Sequence, residues 1–198
     1  MHSASPVHID SHAAATLRYI RTSMEAATSL AVPGSAGIAM GAIGLAAAGL
    51  SSAVGQRDHW LAIWLLAAAL AAAVGGVLLA RRSSLRGLLR SNTPIHRFAL
   101  CLIPALFAGA ILTAVLWTSG SRHAIPGTWL LLYGCALVSA SAATTRTIGV
   151  LGGLFVLLGL TALALPDGWQ MVLLGAGFGG LHIFFGVLIS RVGHGHQS

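Results

Sequence analysis

The sequence predicts an all-α membrane protein in which six transmembrane helices follow an amphipathic interfacial helix. Apolar residues make up 56% of the chain and charged residues 8%, whereas soluble domains carry roughly a quarter charged residues. The apolar residues fall into six runs, each within the range of about 17–25 residues that is typical of transmembrane helices. Arginines that flank these runs supply the formal charge of +7, which therefore indicates membrane topology and no nucleic-acid partner.

Residues 1–34 are predicted to form a cytoplasmic N-terminal segment. Over 10–31, apolar residues recur at helical spacing, while Arg18, Arg21 and Glu25 occupy another face. The pattern predicts an amphipathic helix whose polar face is a candidate contact for a partner. A helix that only packs beneath its own bundle is favoured over it, because an apolar face so rich in alanine inserts weakly into lipid.

Residues 35–190 are predicted to form the bundle, and 191–198 a cytoplasmic tail. A helix running unbroken through the polar residues 144–147 would far exceed the bilayer thickness, so a tight hairpin is expected there. An even number of spans places both termini on one side of the membrane. The predicted spans are 35–54, 60–80, 98–118, 128–144, 148–165 and 169–190.

The arginines predict which side the termini occupy. If the termini are cytoplasmic, the inner segments hold nine of the eleven arginines and the outer loops hold only Arg57 and Arg122, as the positive-inside rule requires. We therefore expect a multi-pass protein of the bacterial inner membrane with both termini cytoplasmic. The inner loop 81–97 is either a stop-transfer signal or a contact with anionic headgroups, through Arg81, Arg82, Arg86 and Arg90.

Small residues recur at helical spacing and predict closely packed helices. The last span places Gly175, Gly179 and Gly186 on one face together with His182. The first and fifth spans contain the matching pairs Gly37 and Gly41, and Gly149 and Gly153.

His182 is the only histidine deep inside an apolar run. An ionisable residue at membrane depth normally faces protein or a water-filled cavity, and Ser139, Ser141 and Thr144 of the fourth span lie at a similar depth. We expect a neutral His182 to donate a hydrogen bond to one of these hydroxyls or to a neighbouring carbonyl. A proton or substrate relay and a haem ligand stay open as alternatives, but no metal and no cofactor is predicted.

Several strings resemble an uncharacterised family of bacterial six-helix integral membrane proteins. They are Tyr19 to Ala27, Val32-Pro33-Gly34, Pro126-Gly127 with Trp129 to Gly134, and Gly177 to Ile183. Members of the family often have an aromatic residue after the V-P-G step, where this chain has Ser35. The family is often encoded beside a winged-helix regulator, so the resemblance implies a regulatory or stress-response setting and no particular chemistry.

The spans hold hydroxyls and one histidine but no carboxylate, which favours an interaction, sensor or regulatory module over an enzyme. A small-solute transporter or channel subunit is the alternative. An intramembrane protease is a remote alternative, because neither candidate serine has a glycine two residues before it. The expected partners are the lipid bilayer, a candidate cytoplasmic protein and a candidate second copy of the chain.

Overall fold

The computed structural model describes residues 16–17, 34–54, 59–82, 94–142, 144–166 and 168–194. The chain divides into two units, Met1–Leu30 and Ala31–Ser198. Of the first unit only Thr16 and Leu17 are described, and both are helical and exposed. Most of the predicted amphipathic helix therefore lies outside the described residues, as do Arg18, Arg21, Glu25, Arg86 and Arg90.

The described residues of the second unit are helical and contain no strand. The first five helices are α1 (Gly34–Val54), α2 (His59–Arg82), α3 (Pro94–Thr118), α4 (Ala124–Ser141) and α5 (Arg146–Ala164). The sixth stretch is continuous but changes geometry, running through α6 (Gln170–Leu174), a π-helical segment (Gly175–Leu181) and α7 (His182–His194). Six stretches of the described chain are long and apolar enough to cross a membrane, so the predicted all-helical architecture is confirmed at this level.

Short turns separate the last helices. Gly120, after α3, and Gly168, before α6, have φ angles of +78° and +112°, which residues with a Cβ rarely adopt.

The fourth helix begins at Ala124, four residues before the start at 128 that the sequence predicted. Any depth judged from residue 128 is therefore displaced by about one helical turn.

Helices α4 and α5 pack as an antiparallel pair through glycines that the sequence analysis did not single out. A Cβ on Gly134 would lie 2.7 Å from the backbone nitrogen of Val156, and one on Gly152 would lie 2.7 Å from that of Val138. Gly127 and Gly159 approach each other in the same way. Of the predicted pair, a Cβ on Gly149 would lie 3.0 Å from the Ser141 hydroxyl of α4, whereas one on Gly153 would meet nothing within 4 Å. Only Gly149 of that pair therefore lies on the contact face.

Helix α1 packs antiparallel against the sixth stretch. A Cβ on Gly41 would lie 2.7 Å from the carbonyl oxygen of Gly179, and one on Gly37 would lie 3.1 Å from the Cα of Gly186. A Cβ on Gly175 would lie 3.0 Å from the Cβ of Ala48. Backbones this close leave no room for side chains, so small residues are required at these positions.

Large apolar side chains cover the outside of the second unit. Leu66 is 72% exposed and Phe107 68%, and similar residues occur on every helix from α1 to α5. Contiguous apolar surface of this kind is unfavourable in water and typical of a lipid-facing surface. Phe155, Leu130 and Leu174 lie fully buried within the unit.

Candidate functional site

Four rings from three stretches of chain meet inside the second unit. Tyr133 of α4 lies 4.9 Å from Phe155 of α5 and 5.2 Å from Phe178 of the π segment, between ring centroids. His182, the first residue of α7, lies 5.3 Å from Phe155. These distances lie within the range of favourable aromatic contacts, so the cluster fixes the position of the two polar rings.

Tyr133 and His182 form the polar centre of this cluster. The Tyr133 hydroxyl lies 2.9 Å from the Nε2 atom of His182, which is a hydrogen-bond distance. His182 is only 6% exposed. The backbone carbonyls of Gly177 and Phe178 lie beside the imidazole, although Nδ1 makes no hydrogen bond of good geometry within the described residues.

The hydroxyls that the sequence assigned to His182 do not reach it. Ser141 donates to the carbonyl oxygen of Val138 at 2.6 Å, and Thr144 donates to that of Ala140 at 3.0 Å. Ser139 is exposed. The expected partner is therefore corrected to Tyr133, which precedes Ser139 by six residues on α4.

The correction has a physical reason. Because α4 begins at Ala124, the level of His182 corresponds to the middle of α4 and not to its C-terminal part. The serine and threonine near that end satisfy their hydroxyls locally, on carbonyls three or four residues back, as is usual in helices. Counting the phenolic hydroxyl of Tyr133 among the hydroxyls at membrane depth would have identified the true partner.

A cavity of about 300 Å³ borders the Tyr133–His182 pair. Its size is at the lower end of the range of roughly 300–1,000 Å³ that is typical of small-molecule sites. The cavity lies among α1, α2, α3, α4 and the π segment, and its lining is almost entirely apolar. No arginine or carboxylate is among the described residues that line it.

The few other polar groups on the cavity wall are two tryptophans and a threonine. The Trp129 indole donates to the Thr113 hydroxyl at 2.7 Å, and that hydroxyl donates to the carbonyl oxygen of Gly109 at 2.6 Å. Trp64 is 3% exposed, and its Nε1–H has no hydrogen-bond partner in the described part of the chain. The Trp129 indole N–H is therefore hydrogen-bonded, whereas the Trp64 indole N–H has no partner among the described residues.

The cavity opens sideways between α2 and α3. Several of its lining residues are also exposed on the outside of the unit: Leu65, Ala68 and Ala72 on α2, and Leu106 and Ala110 on α3. Since α2 packs on α1 and α3 packs on α4, the space between α2 and α3 connects the cavity with the apolar exterior.

The predicted surface arginines are only partly described. Arg81 is exposed near the C-terminal end of α2, and nothing is described of the Arg82 side chain. Arg122, in the turn before α4, lies 3.9 Å above the Trp117 ring. Within the described residues, no group of three or more histidine, cysteine, aspartate or glutamate side chains could hold a metal ion.

Comparison of the chain with protein-family models, with curated proteins and with solved structures finds no match. The resemblance to a bacterial six-helix family accordingly stays a prediction. Fold and site together define a class: the described residues are helical and contain six stretches capable of crossing a membrane, with an apolar cavity among them.

Proposed function

We propose that this protein is a multi-pass membrane sensor that takes up an apolar small molecule from within the bilayer. The observation that carries the proposal is the apolar cavity of about 300 Å³ that ends on the Tyr133–His182 pair. A largely apolar pocket with a few convergent polar groups is the usual form of a small-molecule site. The lateral opening between α2 and α3 gives such a molecule a path from the lipid.

The membrane setting of this proposal is supported by the surface and by the charges. Six stretches of the described chain can cross a bilayer, and large apolar side chains face outward. Nine arginines fall on one side of the predicted topology and two on the other, which favours cytoplasmic termini. The bacterial inner membrane follows from the resemblance described above.

Binding is favoured over transport by what lines the cavity. Moving a polar solute requires groups that bind and release it along a path, and such groups are usually ionisable. The described lining offers one imidazole, three aromatic polar groups and a threonine that is already bonded to Gly109. These groups suit recognition of one bound molecule.

A sensor must transmit to a partner protein whether a molecule occupies its cavity. Helices α1 and α2 both line the cavity, and they adjoin the two candidate partner surfaces, residues 10–31 and 81–97, directly in the chain. Movement of either helix on binding would therefore displace one of these segments. A cytoplasmic protein is the partner we propose for them.

Intrinsic fluorescence tests the site, because Trp64 and Trp129 line the cavity. Bromodecane, titrated into nanodiscs containing the protein, should quench this fluorescence saturably, with bromine as the quencher. Ala68 lines the cavity and its neighbour Ala69 does not, although both are exposed. Ala68→Phe should therefore weaken the saturable quenching, while Ala69→Phe should leave it unchanged.

Two results would contradict the proposal. Quenching that rises linearly with bromodecane and responds equally to both variants would show only contact with lipid-dissolved probe. Saturable uptake of a solute by proteoliposomes, abolished by Ala68→Phe, would establish the transporter alternative in place of a sensor.

A further inference from the structure

The lateral opening of the cavity lies at the middle of two membrane-length stretches. On α2, Ala68 lies near the centre of the stretch His59–Leu78, and on α3, Leu106 lies near the centre of His96–Thr118. Each is about ten residues, or about 15 Å of helical rise, from either end of its stretch. When these stretches cross a hydrocarbon layer of about 30 Å, the opening therefore faces the centre of the bilayer, where the ends of lipid chains lie.

The polar groups described on the cavity wall are already bonded or buried. The Thr113 hydroxyl accepts from Trp129 and donates to a backbone carbonyl, and the Tyr133 hydroxyl is bonded to His182. The indole nitrogen of Trp64 lies buried within the wall. The described lining also holds no arginine or carboxylate. A lipid headgroup would lose its hydration here without new hydrogen bonds, which is costly, so the cavity suits hydrocarbon.

A cavity that opens into hydrocarbon favours a hydrocarbon occupant, because an empty space forfeits the dispersion contacts of the atoms around it. We propose that the ligand is the acyl chain of a bilayer lipid, which enters between α2 and α3 by its methyl end and leaves its headgroup at the membrane surface. This inference rests on the proposed function, because it names the class of molecule that the cavity takes.

Chain length determines which lipids fill the cavity. A chain that only spans half of the hydrocarbon layer reaches the opening but has no methylenes left to enter. A longer chain reaches the same depth and continues sideways between α2 and α3, where its last methylenes gain dispersion contacts with the wall. The protein therefore responds to lipid chains that are longer than those of the surrounding bilayer.

Brominated lipids test this inference in nanodiscs of dilauroyl phosphatidylcholine. The two probes are phosphatidylcholines with bromine on the terminal carbon of one acyl chain, either bromostearoyl or bromolauroyl. A terminal bromine that enters the cavity lies beside Trp64 and Trp129, which line it, and quenches their fluorescence. The bromolauroyl chain matches the host lipid, so its quenching should rise in proportion to its mole fraction. The bromostearoyl lipid should quench saturably, with an affinity about fivefold higher, equivalent to about 1 kcal/mol.

Two further measurements locate the bound chain. Ala68→Phe should remove the preference for the longer chain, and Ala69→Phe should retain it, because Ala69 is exposed but does not line the cavity. Melting temperatures in detergent verify that both variants are folded. In the unsubstituted protein, a stearoyl lipid with a diazirine at its chain end should crosslink to Met40 or Tyr133 on the cavity wall, in addition to outward-facing residues such as Phe107.

The outcomes distinguish this inference from the proposed function. If neither bromodecane nor the bromostearoyl lipid quenches saturably, the proposed function itself fails. If bromodecane does so and the bromostearoyl lipid quenches only in proportion to its mole fraction, the ligand is an unanchored molecule and the inference of a lipid chain is overturned, while the proposed function stands. The inference is also overturned if Ala68→Phe and Ala69→Phe have the same effect, or if the diazirine labels only outward-facing residues.

Discussion

The hydroxyl of Tyr133 and the Nε2 atom of His182 lie 2.9 Å apart, which joins the middle of α4 to the first residue of α7. It is the polar contact about which the aromatic cluster of Phe155 and Phe178 is arranged. The pair also borders the cavity, so the same two side chains connect the packing of the helices with the proposed site.

His182→Leu should lower the free energy of unfolding by about 1–3 kcal/mol, because it leaves the Tyr133 hydroxyl without its partner. His182→Gln retains an acceptor and should cost less. Thermal unfolding in detergent measures both. Identical melting temperatures for the two variants would show that the hydrogen bond contributes nothing to stability.

Gly152→Ala should destabilise the protein by about 1–3 kcal/mol, as overpacking of a close contact does. Its Cβ would lie 2.7 Å from the Val138 nitrogen and 2.8 Å from the Gly134 oxygen, and backbone atoms cannot move aside separately. Gly153 is the adjacent control, since a Cβ there meets nothing within 4 Å. Gly153→Ala should be neutral, or stabilising by up to about 1 kcal/mol through helix propensity. Equal effects in thermal unfolding would contradict the α4–α5 packing.

Gly186→Ala should separate α1 from α7. Its Cβ would lie 2.7 Å from both the Gly34 oxygen and the Ile38 nitrogen, so we again expect a loss of about 1–3 kcal/mol. Gly49→Ala on α1, where a Cβ meets nothing within 4 Å, is the control. Cysteines placed at Ile38 and Ile183 should crosslink less efficiently in the Gly186→Ala protein, and unchanged crosslinking would argue against this contact.

The proposed orientation predicts which positions a membrane-impermeant thiol reagent reaches. In a background with Cys101 and Cys135 replaced by serine, Arg122→Cys should be labelled from the periplasmic side. Arg86→Cys should be labelled only after the membrane is permeabilised. The reverse pattern would overturn the orientation that the arginine distribution indicates.

The helical architecture could be predicted because it depends on local properties of the chain. A run of apolar residues without charges must bond its backbone internally when it is placed in lipid, and a helix does so within one segment. Small residues at helical spacing likewise predicted close packing, and Gly37, Gly41, Gly179 and Gly186 all lie at close contacts between helices.

Which residues of two neighbouring helices meet at a contact could not be predicted in this way. The face of α5 that meets α4 runs through Gly149, Gly152 and Gly159 and leaves Gly153 outside it, because the rotation of a helix depends on the surface that it packs against. A sequence with several glycines on neighbouring faces permits more than one rotation. Only the assembled bundle selects one.

The sequence was sufficient to predict that the described residues are helical, that six of their stretches can cross a membrane, and that His182 lies deep in one apolar run. The pairing of His182 with Tyr133 and the position of Trp64 beside the same cavity are properties of the assembled helices. Depth explains the difference, because pairing between helices depends on where each helix begins, and a shift of four residues moves a side chain by about 6 Å along the axis. That distance exceeds a hydrogen-bond length, so a prediction correct for each helix can still name the wrong neighbour.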